Sequence, residues 1–265
     1  MIREMTRRSA AAADALSKCH YGRKILSCMT AYGVKYSFCR FFSLKSHGKT
    51  AYMMLQNSTL LISSQDDFSG DADAAEELTL FISMHIPFRV EGAQSILQML
   101  SLQGYQKLPR SVFQLCPGGI SPLFDPEQID RNPKLDDVYQ ILSEGFPNLI
   151  AHDLWLTDTS HMVRHGLRHC YTYFGVTAAS EIYDIGGHVL IGQVATKIRA
   201  RGKGYARDFL HWIANDIDKA GKTGILYALD IRKSFYEEIG FKLIESEIVW
   251  ERLHEGDPDG GKGIL

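Results

Sequence analysis

The sequence predicts an α/β protein built from two halves that a proline-rich segment joins. Short runs rich in aromatic and β-branched residues, which favour strands, alternate with amphipathic stretches, which favour helices. Six of the eight prolines lie between residues 109 and 147, where they exclude a continuous helix or a central strand. We therefore predict an N-terminal domain over 1–116, a linker over 117–134 and a C-terminal domain over 135–265.

Composition argues against several classes of protein. The 265 residues carry a net charge of −2, so the chain has no general attraction to nucleic acid or to an anionic membrane. The five cysteines are widely spaced and form no CxxC pair, which favours a reducing compartment. No apolar run approaches the ~18 residues of a membrane span. We expect a cytoplasmic protein with neither nucleic acid nor membrane as a partner.

In the N-terminal half the pattern predicts secondary structure but no chemistry. Helices are expected over 10–19 and 93–102, strands over 36–42 and 51–63, a turn at 46–48, and a helix or strand over 76–84. No glycine-rich phosphate loop occurs in this half of the sequence.

In the C-terminal half, turn residues mark the boundaries between helices and strands more clearly. Helices are predicted over 136–143, within 158–165, over 204–219 and over 232–239, and strands over 171–174, 176–183, 188–196, 225–229, 241–244 and 246–252. The apolar residues of 204–219 fall at helical spacing, so one face of that helix is expected to pack on a sheet.

The segment between strand 188–196 and helix 204–219 is basic and contains two glycines. Five cations lie within eleven residues: Lys197, Arg199, Arg201, Lys203 and Arg207. Gly202 and Gly204 have no Cβ to obstruct a ligand, and the positive end of the following helix points to the same place. The combination predicts an anion site suited to a pyrophosphate. The alternatives are a solvated basic turn and a nucleic-acid patch, although the cations of a patch normally spread along a face with stacking aromatics.

Two other phosphate-binding loops do not fit the sequence. A Walker loop would have to use Gly221-Lys222-Thr223, but Asp216 stands where its first glycine is required. The dinucleotide-binding pattern GxGxxG fails as well, because Arg207 occupies the position of its third glycine.

Two motifs carry a resemblance to a known family. The segment Arg199-Ala200-Arg201-Gly202-Lys203-Gly204 resembles the R/Q-x-x-G-x-G/A loop of the GCN5-related N-acetyltransferase (GNAT) superfamily. The segment from Ser234 to Phe241, with Tyr236 four residues before Gly240-Phe241, resembles the end of that fold. The match covers about 135–252 and implies a GNAT fold with a mixed sheet in the C-terminal half. The whole chain resembles bacterial tandem-GNAT proteins whose N-terminal half is a degenerate GNAT-like copy.

The resemblance implies acetyl-CoA as co-substrate and a small-molecule amine as acceptor, attacked directly without an acyl-enzyme. Backbone amides of the loop would hold the pyrophosphate, the end of strand 188–196 would pair with the pantetheine arm, and Tyr236 would protonate the departing thiolate. The cofactor-binding residues implied are Gln193, Val194, Ala195, Thr196, Arg199, Arg201, Gly202, Lys203, Gly204, Tyr205 and Ala206. The N-terminal half could shape the acceptor pocket, cover it or mediate formation of a homodimer.

One departure from the family pattern keeps a second reading open. Leu229 and Asp230 stand where many members carry an asparagine. A non-catalytic acyl-CoA-binding or regulatory module is therefore the alternative to an enzyme.

Other candidate residues carry weaker signals. The amine must lose a proton before attack, and Glu181 and His188 are candidate bases, although both also suit solvent-facing strand positions. His161 and His165 have the i, i+4 spacing of zinc ligands, but Gly166 interrupts the helix and no third ligand is evident. We predict that no metal is bound.

Overall fold

The computed structural model describes residues 1–146 and 149–253. These residues divide into two compact units. The N-terminal unit consists of Met1–Arg110 together with 246–253, and the C-terminal unit consists of Ser111–Glu245. Residues 254–265, which end the predicted C-terminal domain, lie outside the described residues.

The limits of the units differ from the predicted domains 1–116 and 135–265. The proline-rich segment 117–134 belongs to the C-terminal unit. It contains the short strand β7 (Ile129–Asp130), and its Arg131 forms a two-pronged ion pair with Asp216 at 2.8 and 3.0 Å. Proline breaks regular structure along this segment, but these contacts still attach it to one unit.

The N-terminal unit combines a mixed sheet with helices. Its strands are β1 (Ile2–Glu4), β2 (Cys39–Ser46), β3 (Lys49–Gln56), β4 (Thr59–Ser64), β5 (Arg89–Gly92), the first part of β6 (Tyr105–Gln114) and the last part of β12 (Lys242–Arg252). Its helices are α1 (Ala10–Ser17), α2 (His20–Tyr32), α3 (Ala72–His85) and α4 (Gln94–Leu97). Neighbouring strands follow the order β1-β2-β3-β4-β5-β12, and β4 and β5 are parallel.

Charged groups are buried inside the N-terminal unit. The guanidinium of Arg110 donates to the carboxylates of Glu91 and Glu247, and it donates to the hydroxyl of Tyr21 at 2.6 Å. Tyr21 in turn donates to Glu247 at 2.6 Å, and Lys24 bonds Glu91 at 2.7 Å. Burial alone would raise the pKa of Glu91, but Lys24 and Arg110 together hold that pKa well below its usual range. The network is therefore charged and internally satisfied.

The C-terminal unit repeats the element order of the N-terminal unit. Its strands are β7 (Ile129–Asp130), β8 (Cys170–Tyr173), β9 (Thr177–Ile185), β10 (His188–Thr196), β11 (Thr223–Leu229), the last part of β6 and the first part of β12. Its helices are α5 (Leu135–Ser143), α6 (His152–Arg164), α7 (Tyr205–Lys219) and α8 (Asp230–Glu238). In both units two helices precede three strands, after which helix, strand, helix and strand follow.

The sheet of the C-terminal unit has the order β6-β11-β10-β9-β8-β7 and is buried on both faces. Helix α7 packs on one face through Phe209, Leu210 and Ile213, which confirms the helical spacing of its apolar residues. The other face packs against α5 and α6, whose buried Trp155 is 2% exposed. Packing on both faces of the sheet therefore fixes the positions of the ends of β10 and β11.

Several predicted elements change in the structure. Strand β10 has the predicted limits, but helix α2 is not predicted at all. The predicted strand 51–63 is two strands, because Asn57 and Ser58 both have positive φ and form a tight turn without glycine. The expected helix over 93–102 is reduced to α4. None of the helices in the described parts of the chain combines the length and apolarity that a membrane crossing requires.

Replacing Arg110 with methionine tests the buried network. The change leaves Glu91 and Glu247 buried without their shared guanidinium, and we expect the free energy of unfolding to fall by about 3–5 kcal/mol in urea titrations. Arg40→Met is the matched control. Arg40 forms a largely exposed pair with Glu4, so its removal is expected to cost about 0–1 kcal/mol. Equal losses in the two variants would contradict the network's role.

Candidate functional site

The parallel pairing of β10 with β11 ends part-way along both strands. The paired residues run from His188 and Thr223 to Ile191 and Leu226. Beyond them the register of β10 with β9 shifts, and Gln193 has a φ of 52°, which is a β-bulge in the left-handed region. The unpaired strand ends line a cavity of about 560 Å³ together with the start of α7 and with α8.

Packing on the helix side fixes the bulge. The indole N–H of Trp155 donates to the side-chain oxygen of Gln193 at 3.3 Å. Gly145 lies so close to β10 that an added Cβ would come within 2.7 Å of the Ala195 Cβ. A side chain at Gly192 would likewise meet Ile182 at 2.8 Å. The Ala195 Cβ cannot move away, so the close packing requires glycine at position 145, whereas a side chain at position 192 would require Ile182 to shift.

The basic loop leads from the end of β10 into α7. A short 3-10 turn, Ile198–Ala200, is followed by Gly202 and Gly204 with φ angles of 76° and 80°. Gly204 is the N-cap of the 15-residue helix α7 and offers no side chain to accept from its first N–H groups. Tyr205, Ala206 and the two glycines line the cavity. The start of α7 therefore presents unused amide donors and a positive dipole end to the cavity.

The structure brings most of the predicted cofactor residues together. Lining the cavity are Gln193, Val194, Ala195, Thr196, Arg201, Gly202, Gly204, Tyr205, Ala206 and Tyr236. Arg199 and Lys203 are exposed and do not belong to this lining. Sequence reasoning missed Arg232 and Tyr227, which also line the cavity. No sequence motif marks Tyr227 on β11 or Arg232 on α8, and only the topology brings them to the cavity.

The side chain of Arg201 differs from its prediction as a phosphate-facing cation. Its Nε donates to the carbonyl oxygen of Thr196 at 3.1 Å, and its Nη2 donates to the carbonyl oxygen of Glu144 at 2.9 Å. Two of its five N–H groups are thus engaged with backbone acceptors.

Tyr236 is placed on α8 with its ring packed among aromatic side chains. The ring centroids of Phe113 and Phe235 lie 5.5 and 5.2 Å away. Burial raises the pKa of Tyr236 above its usual value, and the nearby Arg232 lowers it by less. The hydroxyl is therefore protonated at neutral pH and available to the cavity as a donor.

Comparison with known proteins places this geometry in a known fold. No protein-family model and no curated protein matches the sequence. A GNAT-related structure from Sphaerobacter thermophilus aligns with a TM-score of 0.62 at 17% identity, covering 95% of each chain. A tandem GNAT protein of the clavulanic acid biosynthesis pathway aligns at 0.58 and 10% identity, covering 94% of this chain and 97% of its own. A GNAT-family acetyltransferase from Colwellia psychrerythraea aligns at 0.52 and 15%, covering 96% and 100%.

The chain has the GNAT fold. The neighbours cover nearly the whole chain, so the fold assignment includes the N-terminal unit.

Glu181, the predicted base, lies away from the cavity. It is buried on β9 and does not line the cavity. Its two carboxylate oxygens accept from the hydroxyl of Tyr171 and pair with the ring of His169, each at 2.8 Å. Both carboxylate oxygens are thus engaged with neighbouring side chains, and the structure does not bring Glu181 together with the residues of the cavity. His188 begins β10, at the opposite end of that strand from Thr196.

One histidine and two acidic residues form a further cluster on the C-terminal unit. Ligand atoms of His169, Glu181 and Asp184 lie within 4.8 Å of one another. Lys222 already forms an ion pair with Asp184, so an ammonium group supplies the positive charge there. The predicted His161–His165 pair brings its rings to 4.6 Å, but the two residues do not belong to a three-ligand cluster in the described chain.

The corresponding loop of the N-terminal unit is closed to anions. Asp71 is the N-cap of α3, and its carboxylate accepts from the N–H of Ala74 at 3.1 Å. The carboxylate therefore takes the place that a phosphate would use at an uncapped helix. Strands β4 and β5 pair as far as Ile62 and Gly92, where a Cβ on residue 92 would collide with the Ile62 backbone. This unit keeps the GNAT element order without the open anion site.

Replacing Gly204 with alanine tests the loop conformation. An alanine at a φ of 80° is strained by about 1 kcal/mol, although no atom lies within 4 Å of the added Cβ. We expect weaker binding of acetyl-CoA in calorimetric titrations, together with a small loss of stability. Gly221→Ala is the matched control, since Gly221 has a φ of 67° and equally open surroundings outside the cavity. It is expected to lose stability only, and equal affinity losses in both variants would contradict the loop's role.

Proposed function

We propose that the protein is an acetyl-CoA-dependent N-acetyltransferase that moves the acetyl group directly to the primary amine of a small acceptor. One observation carries the proposal: an uncapped helix start, a glycine loop and a protonated tyrosine line one cavity at the gap between β10 and β11. The GNAT fold supports it, since the structural neighbours are GNAT-family acetyltransferases.

The donor is proposed to bind along the cavity from the loop to Tyr236. The N–H groups at the start of α7 bind the pyrophosphate, because they combine free donors with the positive end of a 15-residue helix. On the side of β10 that faces β11, the backbone from Gln193 to Thr196 has no strand partner, and there it hydrogen-bonds the amides of the pantetheine arm as a strand would. Arg207 adds charge at the same end, held 3.5 Å from Glu238.

Tyr236 is proposed as the general acid. In the transfer step the amine nitrogen forms a bond to the acetyl carbon, and the carbon–sulfur bond breaks. The proton of the Tyr236 hydroxyl passes to the departing sulfur, so that coenzyme A leaves as a thiol. The new amide nitrogen then loses its extra proton to water, and the Tyr236 oxygen regains a proton from water. Delivery of a proton lowers the barrier most where the leaving thiolate is poorly hydrated.

The proposed route for the amine proton leads to water. Among the described residues that line the cavity there is no Asp, Glu or His. We therefore expect only the neutral amine to react, after losing its proton to solvent. As pH falls below the pKa of the acceptor amine, kcat/KM should drop about tenfold per pH unit, and this limb should move with the pKa of the amine tested.

Thermal unfolding with acetyl-CoA tests the donor site. Ligand at about 100 times its Kd stabilises the native state by about 2.7 kcal/mol, which raises Tm. Coenzyme A should also raise Tm, and free pantetheine should raise it less because it lacks the pyrophosphate. No shift at millimolar acetyl-CoA would contradict both the enzyme and the acyl-CoA-binding alternative. Binding without thiol release across a panel of amines would leave the non-catalytic module.

Tyr236→Phe tests the acid. Loss of the hydroxyl is expected to lower kcat about 10²-fold while the KM for acetyl-CoA changes little, as measured by thiol release. Since burial raises the pKa of Tyr236, the alkaline limb of the wild-type profile should lie above pH 10 and disappear in the variant. Tyr139→Phe is the control, because the Tyr139 hydroxyl bonds the carbonyl oxygen of Ile150 outside the cavity. Equal kcat values in the two variants would remove Tyr236 from the mechanism.

A further inference from the structure

The C-terminal end of α5 is hydrogen-bonded to the basic loop on two sides. The carboxylate of Glu144 accepts from the N–H of Ile198 at 2.7 Å, and its main-chain carbonyl accepts from Nη2 of Arg201 at 2.9 Å. Nε of Arg201 donates to the carbonyl oxygen of Thr196 at 3.1 Å. Glu144 is the C-cap of α5, so its carbonyl is one of the acceptors that a helix end leaves unused.

The three hydrogen bonds enclose the short turn that connects β10 to the glycine loop. Thr196 precedes this turn, Ile198 begins it and Arg201 follows it, so one residue of α5 fixes its course at both ends. The next residue, Gly145, packs against Ala195 and lines the cavity. Any displacement of Glu144 would therefore move the start of the loop.

We infer that Glu144 and Arg201 are positioning residues, which hold the loop so that the N–H groups from Gly202 to Ala206 converge on the pyrophosphate. The inference rests on the proposed function. It assigns a role to Glu144, which belongs to no motif, and it gives Arg201 a mechanical role in place of a direct charge on the phosphates. The fork of the guanidinium suits this role, because its two donors reach two carbonyl oxygens in a fixed geometry.

A bracing role and a charge role predict different salt dependence. If Arg201 met the phosphates, its removal would lower the salt dependence of acetyl-CoA affinity, because one ionic contact would be lost. If Arg201 only holds the turn, affinity falls but its dependence on salt is unchanged. Removing the Glu144 carboxylate sharpens the distinction. If the loop bound the phosphates by charge alone, the loss of this nearby negative charge would raise the affinity for acetyl-CoA.

The experiment titrates acetyl-CoA calorimetrically at low and high salt into the wild type and five variants. Glu144→Ala and Arg201→Gln should each weaken affinity about five-fold, as expected for exposed hydrogen bonds, with an unchanged salt slope. Glu144→Gln should restore most of the affinity, because its amide oxygen still accepts from Ile198. Arg201→Lys should stay weakened, because an ammonium lacks the fork. Glu127→Ala, an exposed site on the same unit, is the control and should match the wild type.

Amide hydrogen exchange without ligand separates the two proposals. Residues 196–201 should exchange faster in Glu144→Ala and Arg201→Gln than in the wild type, while the rest of the unit is unchanged. Unchanged exchange, or wild-type affinity in Glu144→Ala, would overturn the bracing role. A reduced salt slope in Arg201→Gln with normal affinity in Arg201→Lys would assign Arg201 to the phosphates instead. Faster exchange combined with no binding of acetyl-CoA by the wild type would instead count against the proposed function.

Discussion

The left-handed conformation of Gln193 is the constraint on which the candidate site depends. A non-glycine residue rarely adopts a φ of 52°, so the surroundings must hold it there. The shifted register with β9 and the hydrogen bond from Trp155 both do so. Because the bulge interrupts β10 just after its pairing with β11 ends, the next residues have backbone groups without a strand partner on the β11 side, although Ala195 and Thr196 pair again with β9. A regular strand would use those groups in its own ladder and leave no cavity.

The two units show that the framework alone does not make an anion site. Both place a helix between two parallel strands, yet the starts of those helices differ. Asp71 caps α3 with a carboxylate, whereas Gly204 leaves the first donors of α7 uncapped. This difference in the cap exchanges a satisfied helix end for one that can accept a phosphate, and it accompanies the lack of a glycine-rich loop in the N-terminal half. The shared fold therefore does not by itself make an anion site, and the residue at the helix start is one of the features that distinguish the two units.

Sequence reasoning predicted those features that depend on local patterns. Strand β10, helix α7 and the glycine loop have strong periodicity and turn signals, and their order fixes most of the cavity lining. The bulge at Gln193 carries no such signal, since its cause is packing against Trp155. Glu181 was predicted as a base because strand polarity alone cannot show that its carboxylate is used elsewhere. The contact of Glu144 with the loop joins residues 54 positions apart, which no local pattern encodes.

In the proposed transfer, proton movement from Tyr236 to the leaving sulfur depends on the difference between the pKa of the tyrosine and the pKa of the thiol. A free thiol has a pKa of about 8.5 and a free tyrosine one of about 10, so in water tyrosine is the weaker acid. Burial raises the pKa of Tyr236 further, which by itself would oppose proton transfer to sulfur. In the proposed transfer the departing sulfur would lie in the cavity that Phe235 helps to line, and burial there would also raise the pKa of its thiol. We expect the two pKa values to rise together, which would keep the difference between them small as the carbon–sulfur bond breaks.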